Sequence, residues 1–395
     1  MQADMQADMQ AVLHADPHSL TELQRFRAGL RRWLADNAQA LTPSVEDHAS
    51  VDRELAHQRK VQSLLYDAGW MLAGWPVEVG GLGGSPLLRA VLGEELTSRA
   101  LVHTTSWSMH EVLGPAIVAY GHPDLAADLL PRLLAGQEFW CQGFSEPEAG
   151  SDLGSLRTTA RPSGTNWVIS GEKLWTSWGH HATRCVVLAR TGAVGSGSRG
   201  ISAFLVDMAT PGITARPLQT MADVDEFSAT SFVDVIVPAA RLLGEVGQGW
   251  SVAQHILACE RGPIFWQRGA WLMGQLSRVL PMAQERQADA LLGEAYQALW
   301  AFRARSLSTQ RGMASGRLPG AAASVDKILV AAAEQIAMDA ARELLGGALE
   351  TDDSLVGRGW RREWAYSRAA SIYGGTSEIQ KDIVSAQLLG LPRGT

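Results

Sequence analysis

Lysine is scarce in this 395-residue chain: Lys60, Lys173, Lys327 and Lys381 stand among 34 basic side chains. Arginine carries nearly all the positive charge, a bias that a GC-rich genome explains as well as any function does. The formal net charge is -7, which argues against the basic face that a nucleic-acid binder needs. A phosphorylated small molecule is not excluded, because a few local arginines suffice. Cysteine is rarer still. Cys141, Cys185 and Cys259 form no CxxC pair and read as reduced, buried small hydrophobes. No metal-ligand spacing is present, and His180 and His181 read as loop residues. No apolar run reaches the roughly 18 residues of a membrane span. The N-terminus lacks the basic and apolar stretches of a signal peptide, so a cytoplasmic location is expected. The glycines at 80, 81, 83 and 84 follow no strand and do not spell GxGxxG. With no βαβ alternation, a dinucleotide-binding Rossmann domain is not expected.

What is present describes a globular protein, 46% hydrophobic and 19% charged, long enough for two or three domains. Residues 1–17 begin with an MQAD repeat that has little to bury, and read as a disordered leader. Residues 18–137 show helical periodicity, as in Leu20, Leu23, Phe26 and Leu30, or Val61, Leu64, Leu65 and Ala68. Ser19 or Thr21 is a candidate cap for the first helix. Residues 138–240 switch to short β-branched and aromatic runs between turn clusters, such as residues 185–188, 201–206 and 231–235. Residues 241–395 return to helical periodicity, broken at 312–320, at Gly346-Gly347 and at 351–359. The expected fold is α+β and mainly α: a helical domain, a small antiparallel β-barrel, and a C-terminal four-helix bundle.

Several motifs make that order specific. Residues 372–381 read IYGGTSEIQK, residues 144–153 read FSEPEAGSDL and residues 171–177 read GEKLWTS. With residues 75–84, Gly114-Pro115, Pro131 and the closing LLGLPR, the chain resembles the acyl-CoA dehydrogenase family over residues 20–393. CQGFSEPEAGSDL and WTSWGHHA resemble the bacterial branch that includes steroid side-chain dehydrogenases. The resemblance implies FAD, with Phe144, Ser145, Gly150, Ser151, Trp175, Thr176, Ser177, Gly347, Tyr373, Thr376 and Glu378 as its contacts. The chemistry of those residue types agrees. Trp175 offers a face for stacking on a flat ring. Thr176 and Ser177 offer hydroxyls near its N5. Gly150 and Ser151 allow close approach of a phosphate, and residues 376–378 open a helix whose free amides suit an anion.

The implied reaction is α,β-desaturation of an acyl thioester, on CoA or on a carrier protein. A carboxylate removes the α-proton while a hydride leaves the β-carbon. Such a base needs positioning and desolvation, and the thioester oxygen needs donors. The resemblance assigns the latter to a flavin hydroxyl and the backbone amide at position 374. In many members the residue after the Tyr is the catalytic glutamate; here it is Gly374. A second branch carries its base in a Glu-Arg pair on the first long helix of the C-terminal bundle. This chain has Glu260-Arg261 within LACERGP, and Glu260 is the expected base. Pro263 cannot donate to the carbonyl of Cys259 and is expected to kink the helix. Thr105, Met109, Ser151, Arg261 and Gly375 are the expected substrate contacts, with Ser106, Trp107, His110, Trp266 and Trp271 near the cavity.

The chain also departs from the family. The arginine-and-FG motif with which a neighbouring subunit clamps the FAD pyrophosphate is absent between residues 277 and 312. Glu343 replaces a glutamine ahead of Gly346-Gly347, Glu148 replaces a glycine, and residues 226–229 read EFSA in place of EFNE. Expected partners are an electron-transfer flavoprotein and further subunits, as a homodimer or homotetramer, with a heteromer open. Two other readings stay open. One is a flavin monooxygenase on the same fold, against which Glu260 counts. The other is a non-catalytic subunit of a heteromeric dehydrogenase, motivated by the missing clamp.

Overall fold

The structure, a computed structural model, describes residues 20–48, 50–193 and 195–392. The leader expected at 1–17 and the candidate cap Ser19 lie outside them. Thr21 falls within the first helix, not at its cap.

The N-terminal part is helical: α1 (Leu20–Asp36), α2 (Val51–Asp67), α3 (Leu87–Thr97), α4 (Thr104–Trp107), α5 (Met109–Tyr120) and α6 (Pro123–Leu134). The apolar positions read from the sequence supply its core. Phe26, Leu30, Val61 and Leu65 are buried with Trp70, Trp75, Trp107 and Leu130. Ser50 caps α2 by accepting from the amide of Arg53, satisfying one of the amides a helix start leaves free.

The middle part is one sheet of eight strands. They are β1 (Trp140–Gly143), β2 (Thr159–Ser163), β3 (Asn166–Ser177), β4 (Arg184–Arg190), β5 (Ile201–Asp207), β6 (Ile213–Leu218), β7 (Phe227–Pro238) and β8 (Leu242–Leu243). Their order is β6-β7-β3-β2-β4-β5-β8, with β1 parallel to β4. The sheet does not close into the expected barrel. Closure needs the two edges to pair, but β8 is two residues long and β6 carries Pro217, which cannot donate to a ladder. The halves meet where β2 and β4 share one residue pair, Thr159 with Arg190.

A β-bulge in the β3–β7 ladder decides the direction of one side chain. Lys173 faces Thr230 and Thr176 faces Ser228, so Leu174 and Trp175 together oppose Ala229. Trp175 takes up the extra residue with φ of +61°. A bulge of this kind re-aims a side chain, and the Trp175 indole is 57% exposed.

The C-terminal part holds α7 (Gly249–Cys259), a π-helical turn (Glu260–Ile264), α8 (Phe265–Arg286), α9 (Asp289–Ala314), α10 (Ala322–Leu345), α11 (Leu355–Ser367) and α12 (Ser377–Ile383). Leu272, Leu276, Leu299, Phe302, Val330 and Leu344 form a second core where α8, α9 and α10 meet. The short α11 and α12 pack on α10, while α7 packs on α5 and β5. Three long helices, not four, therefore carry this core. Pro263 leaves the helix without one amide, and the chain takes up a π turn there. Gly262 lets α9 approach this turn: a Cβ there would stand 2.4 Å from Met313 Sδ.

Candidate active site

Glu260 opens the π turn and points toward the loop before α12. A Cβ built on Gly374 would stand 2.9 Å from Glu260 Oε1. The carboxylate thus occupies the space that the glycine leaves free. Gly374 and Gly375 have φ of +62° and +94°, a backbone that other residues adopt only with strain. The Gly374 carbonyl accepts from Arg261 Nη2 at 3.3 Å and from Gln380 Nε2 at 3.2 Å. The Gly374 amide makes no hydrogen bond among the described residues. No ion pair joins Glu260 to Arg261 in spite of their adjacency. Burial lowers the Arg261 guanidinium from its ordinary range, and the charge of Glu260 opposes that fall. Glu260 Oε2 instead accepts from Gln142 Nε2 of β1 at 3.3 Å.

Tyr373 completes this cluster. Its ring lies 5.7 Å from that of Tyr366, and burial pushes its hydroxyl well above the usual range. The ammonium of Lys327 on α10 sits 4.0 Å over the same ring. The structure therefore brings Glu260, Arg261, Tyr373, Gly374 and Gly375 together, and adds Gln142 and Lys327.

The expected flavin contacts gather less completely. Lys173 is wholly buried; its ammonium donates to the Phe144 carbonyl at 3.1 Å and to Glu146 at 2.8 Å. The amide of Leu174 donates to the Ser145 carbonyl at 2.9 Å. These bonds tie residues 144–146 to β3. Beside them stand Trp175, edge-on to Phe227 at 6.0 Å, and the buried Thr176 hydroxyl, which has no hydrogen-bond partner. A flat ring with polar edges fits here: Trp175 gives it a face, and Thr176 is a hydroxyl in want of a partner. Ser177 lies half-buried next to it. Gly150, Ser151, Gly347 and Glu378 are exposed. Thr376 spends its hydroxyl on capping α12. Glu343 is exposed beside Arg342, and Glu148 pairs with Arg157 at 2.7 Å.

Of the expected substrate contacts, Met109 is buried and Thr105 half-buried on α4 and α5. Thr105 Oγ1 lies 3.1 Å from His103 Nδ1. Thr105 lines a small pocket with His103, Glu226, Arg268, Arg362, Glu363 and Tyr366, and with the apolar Ala222, Val224 and Phe227. Burial pushes the Glu226 carboxyl above its ordinary range, against the pull of His103 and Arg362. Trp107 and His110 are buried edge to face at 4.9 Å. Elsewhere, the three cysteines are free and buried. His181 Nδ1 lies 3.3 Å from Asp52, and its ring lies 4.1 Å from that of His180. Among the described residues no cluster of His, Cys, Asp or Glu is placed to hold a metal ion. No described helix is long and apolar enough to cross a membrane.

Sequence reasoning missed Gln142, Phe227 and Lys327. For Lys327 a signal existed: in a chain with four lysines, a lysine among apolar neighbours at 324–333 is anomalous.

The comparisons with known proteins agree over nearly the whole chain. Residues 21–137 match the N-terminal domain of acyl-CoA dehydrogenases, 141–235 the middle domain and 247–389 the C-terminal domain. The chain is 34% identical to the acyl-CoA dehydrogenase IpdE1 of Mycobacterium tuberculosis over 383 residues, covering 95% of this chain and 99% of that protein. It is 29% identical to the mitochondrial short-chain specific acyl-CoA dehydrogenase of Bos taurus, covering 86% and 85%. Among solved structures, the Tcur3481-Tcur3483 steroid ACAD superposes with a TM-score of 0.83 at 26% identity, covering 96% and 100%. The ChsE4-ChsE5 complex from Mycobacterium tuberculosis superposes at 0.81 and 28% identity, with the same coverage. These relatives fit the bacterial steroid-type branch that the motifs resemble. The chain belongs to the acyl-CoA dehydrogenase family of flavin-dependent oxidoreductases.

Proposed function

We propose that this protein desaturates an acyl-CoA between the α and β carbons, with Glu260 as the base. One observation carries the reading: Glu260 Oε1 stands 2.9 Å from the position that a side chain at Gly374 would take. The carboxylate thereby reaches the loop where other family members carry their glutamate. Gln142 orients it on one oxygen, leaving the other directed at the Gly374 loop. Arg261 and Gln380 pin the Gly374 carbonyl, which fixes the free amide of Gly374 for the thioester oxygen. A donor held in advance stabilises the charge that develops there. FAD, when bound, supplies the acceptor for the β-hydride. Trp175, Thr176, Ser177, Phe144 and Ser145 would hold its ring.

The acyl group we infer is compact and ring-containing, with a polar function, and is not a long straight chain. Trp107 and Met109 narrow the space beside Thr105. The polar residues that line the pocket with it, His103, Glu226 and Arg362, are poor company for an alkyl tail. The steroid relatives agree with that shape. Residues 18–137, 138–240 and 241–395 are taken as the three domains.

The pyrophosphate end of FAD lacks an arginine clamp in this chain, and Gly150, Ser151, Gly347 and Glu378 face solvent. We therefore infer an oligomer in which another subunit covers these residues. A different second chain is favoured over a second copy, since ChsE4-ChsE5 is a two-chain complex. An electron-transfer flavoprotein is the inferred acceptor.

The test is anaerobic bleaching of the flavin-loaded protein by short, branched, aromatic and steroidal CoA esters. Glu260→Gln keeps flavin and ligand binding but abolishes bleaching. Bleaching retained in that variant would sink the assignment.

A further inference from the structure

Two of the four lysines are buried, and they serve different ends. Lys173 has a direct partner, Glu146, at 2.8 Å. Among the described residues Lys327 has no such ion pair. Its ammonium, 1% exposed, donates to the carbonyl of Ala370 and lies 4.0 Å over Tyr373 and 5.5 Å from the ring of Phe265. Its stem ends against the active-site glycine. A Cβ on Gly374 would meet Glu260 Oε1 at 2.9 Å and Lys327 Cε at 3.7 Å. Base and lysine flank the same residue.

Of the other charges near Glu260, Arg261 couples to it as well, and the rest have partners of their own. On its own turn, Arg261 faces the Gly374 carbonyl. On α8, Arg268 is held between Glu334 and Glu363, at 2.8 and 2.9 Å. On α5, Glu111 faces Arg89 at 3.5 Å and His110 at 3.6 Å, beneath Cys259. The group facing it from β1, Gln142, is neutral. Tyr373 is held neutral by burial. Glu334 on α10 also faces Lys327, but it already has Arg268.

We propose that Lys327 is a positioning residue for the base, a buried cation that holds the Ala370 carbonyl and counters the charge of Glu260 across Gly374. The inference rests on the reading of Glu260 as the base. Glu260 is half-buried, and a carboxylate that loses part of its hydration is favoured by a cation or donors nearby. Gln142 supplies one neutral donor, and Lys327 adds a buried charge to that of Arg261. Burial lowers the Lys327 ammonium to about 8, while Glu260, and after it Glu334, hold it up.

The scarcity of lysine makes the coupling measurable. Protein labelled with ¹³C at lysine Cε gives four resonances, and Lys327→Gln identifies one by its loss. In Glu260→Gln the Lys327 midpoint should fall by about one pH unit, a tenfold change in proton affinity. Glu260→Asp, which keeps the charge, should leave it closer to that of the unsubstituted protein. Lys173, paired with Glu146, should not move in either variant. A merely structural tie to Ala370 predicts no selective movement. A Lys327 midpoint unchanged in Glu260→Gln, or moving together with that of Lys173, overturns the proposal. This outcome is separable from failure of the base assignment. Bleaching retained by Glu260→Gln removes the base but not the coupling, whereas an unmoved lysine removes the coupling but not the base.

Discussion

Gly374 is the residue on which the site turns, because two requirements meet there. Its φ of +62° disfavours any side chain, and the carboxylate of Glu260 stands where that side chain would go. On the proposed reading, Gly374→Glu does not supply a second base; it displaces Glu260 and strains the loop that would donate to the thioester. A misplacement of about 1 Å at a reacting group costs on the order of a hundredfold in rate. Flavin reduction by substrate should therefore fall roughly a hundredfold or more in Gly374→Glu and less in Gly374→Ala. Stopped-flow absorbance of the flavin measures it. Recovery of activity in the double variant Glu260→Gln, Gly374→Glu would show that the loop position can host the base, contrary to this expectation. At this scale Glu260 and Arg261 were legible because adjacent residues in a recognisable motif carry them. Gln142 was not: its bond to Glu260 spans 118 positions, and no local spacing records such a contact. That Trp175 sits in a bulge was not legible, because the bulge belongs to the register of two strands.

Helices were read from periodicity, and the order of elements followed. How the helices are locked together was not, because the lock is polar and buried. Arg268 of α8 reaches Glu334 on α10 and Glu363 on α11, and its guanidinium lies 4.2 Å over Trp271. Burial pushes the Glu363 carboxyl up, yet Arg268, His103 and Arg362 outweigh it and hold it far below the usual range. A cation at this position in a mostly apolar helix reads in sequence as an exposed residue, whereas the structure has it 4% exposed. Arg268→Met keeps much of the volume but leaves Glu334 and Glu363, both buried, without the cation that bridges them. Removing one member of a buried ionic group costs about 3–5 kcal/mol. Urea unfolding of Arg268→Met should show that loss in the transition midpoint. Adding Glu334→Gln should return part of it, since one uncompensated charge is then gone. No loss in the single variant would mean that water reaches the cluster and that it locks nothing.

For the whole molecule the helical, sheet and helical sequence was legible, since period 3.6 and period 2 differ plainly over a hundred residues. The closed barrel was not borne out, because strand pairing at an edge depends on the length of β8 and the proline in β6, not on strand content. Net charge also hides how the charges are used. Glu95, Glu138, Glu146 and Glu363 all lie below their ordinary value of 4.5. In each, burial raises the carboxyl but bound Arg or Lys partners prevail. A carboxylate held lower in the folded state than in the unfolded state contributes stability that is present above 4.5 and lost as pH falls through the folded value. Glu226 and Asp326 are raised by burial, and their contributions run the other way. Four groups oppose two, and the four have direct cationic partners, so acid should destabilise the protein. The lysines give a second limb. Burial brings Lys173 and Lys327 to about 8 from 10.5, so the folded state binds fewer protons there and gains stability as pH rises from about 8 toward 10.5. Thermal midpoints at constant ionic strength should fall as pH drops below 4.5. Near pH 9 the parent protein should gain more than Lys327→Gln does, because the variant lacks one of the two titrating ammonium groups. A midpoint that rises in acid would mean that Glu226 and Asp326 dominate. Equal alkaline gains in parent and variant would place Lys327 in contact with solvent.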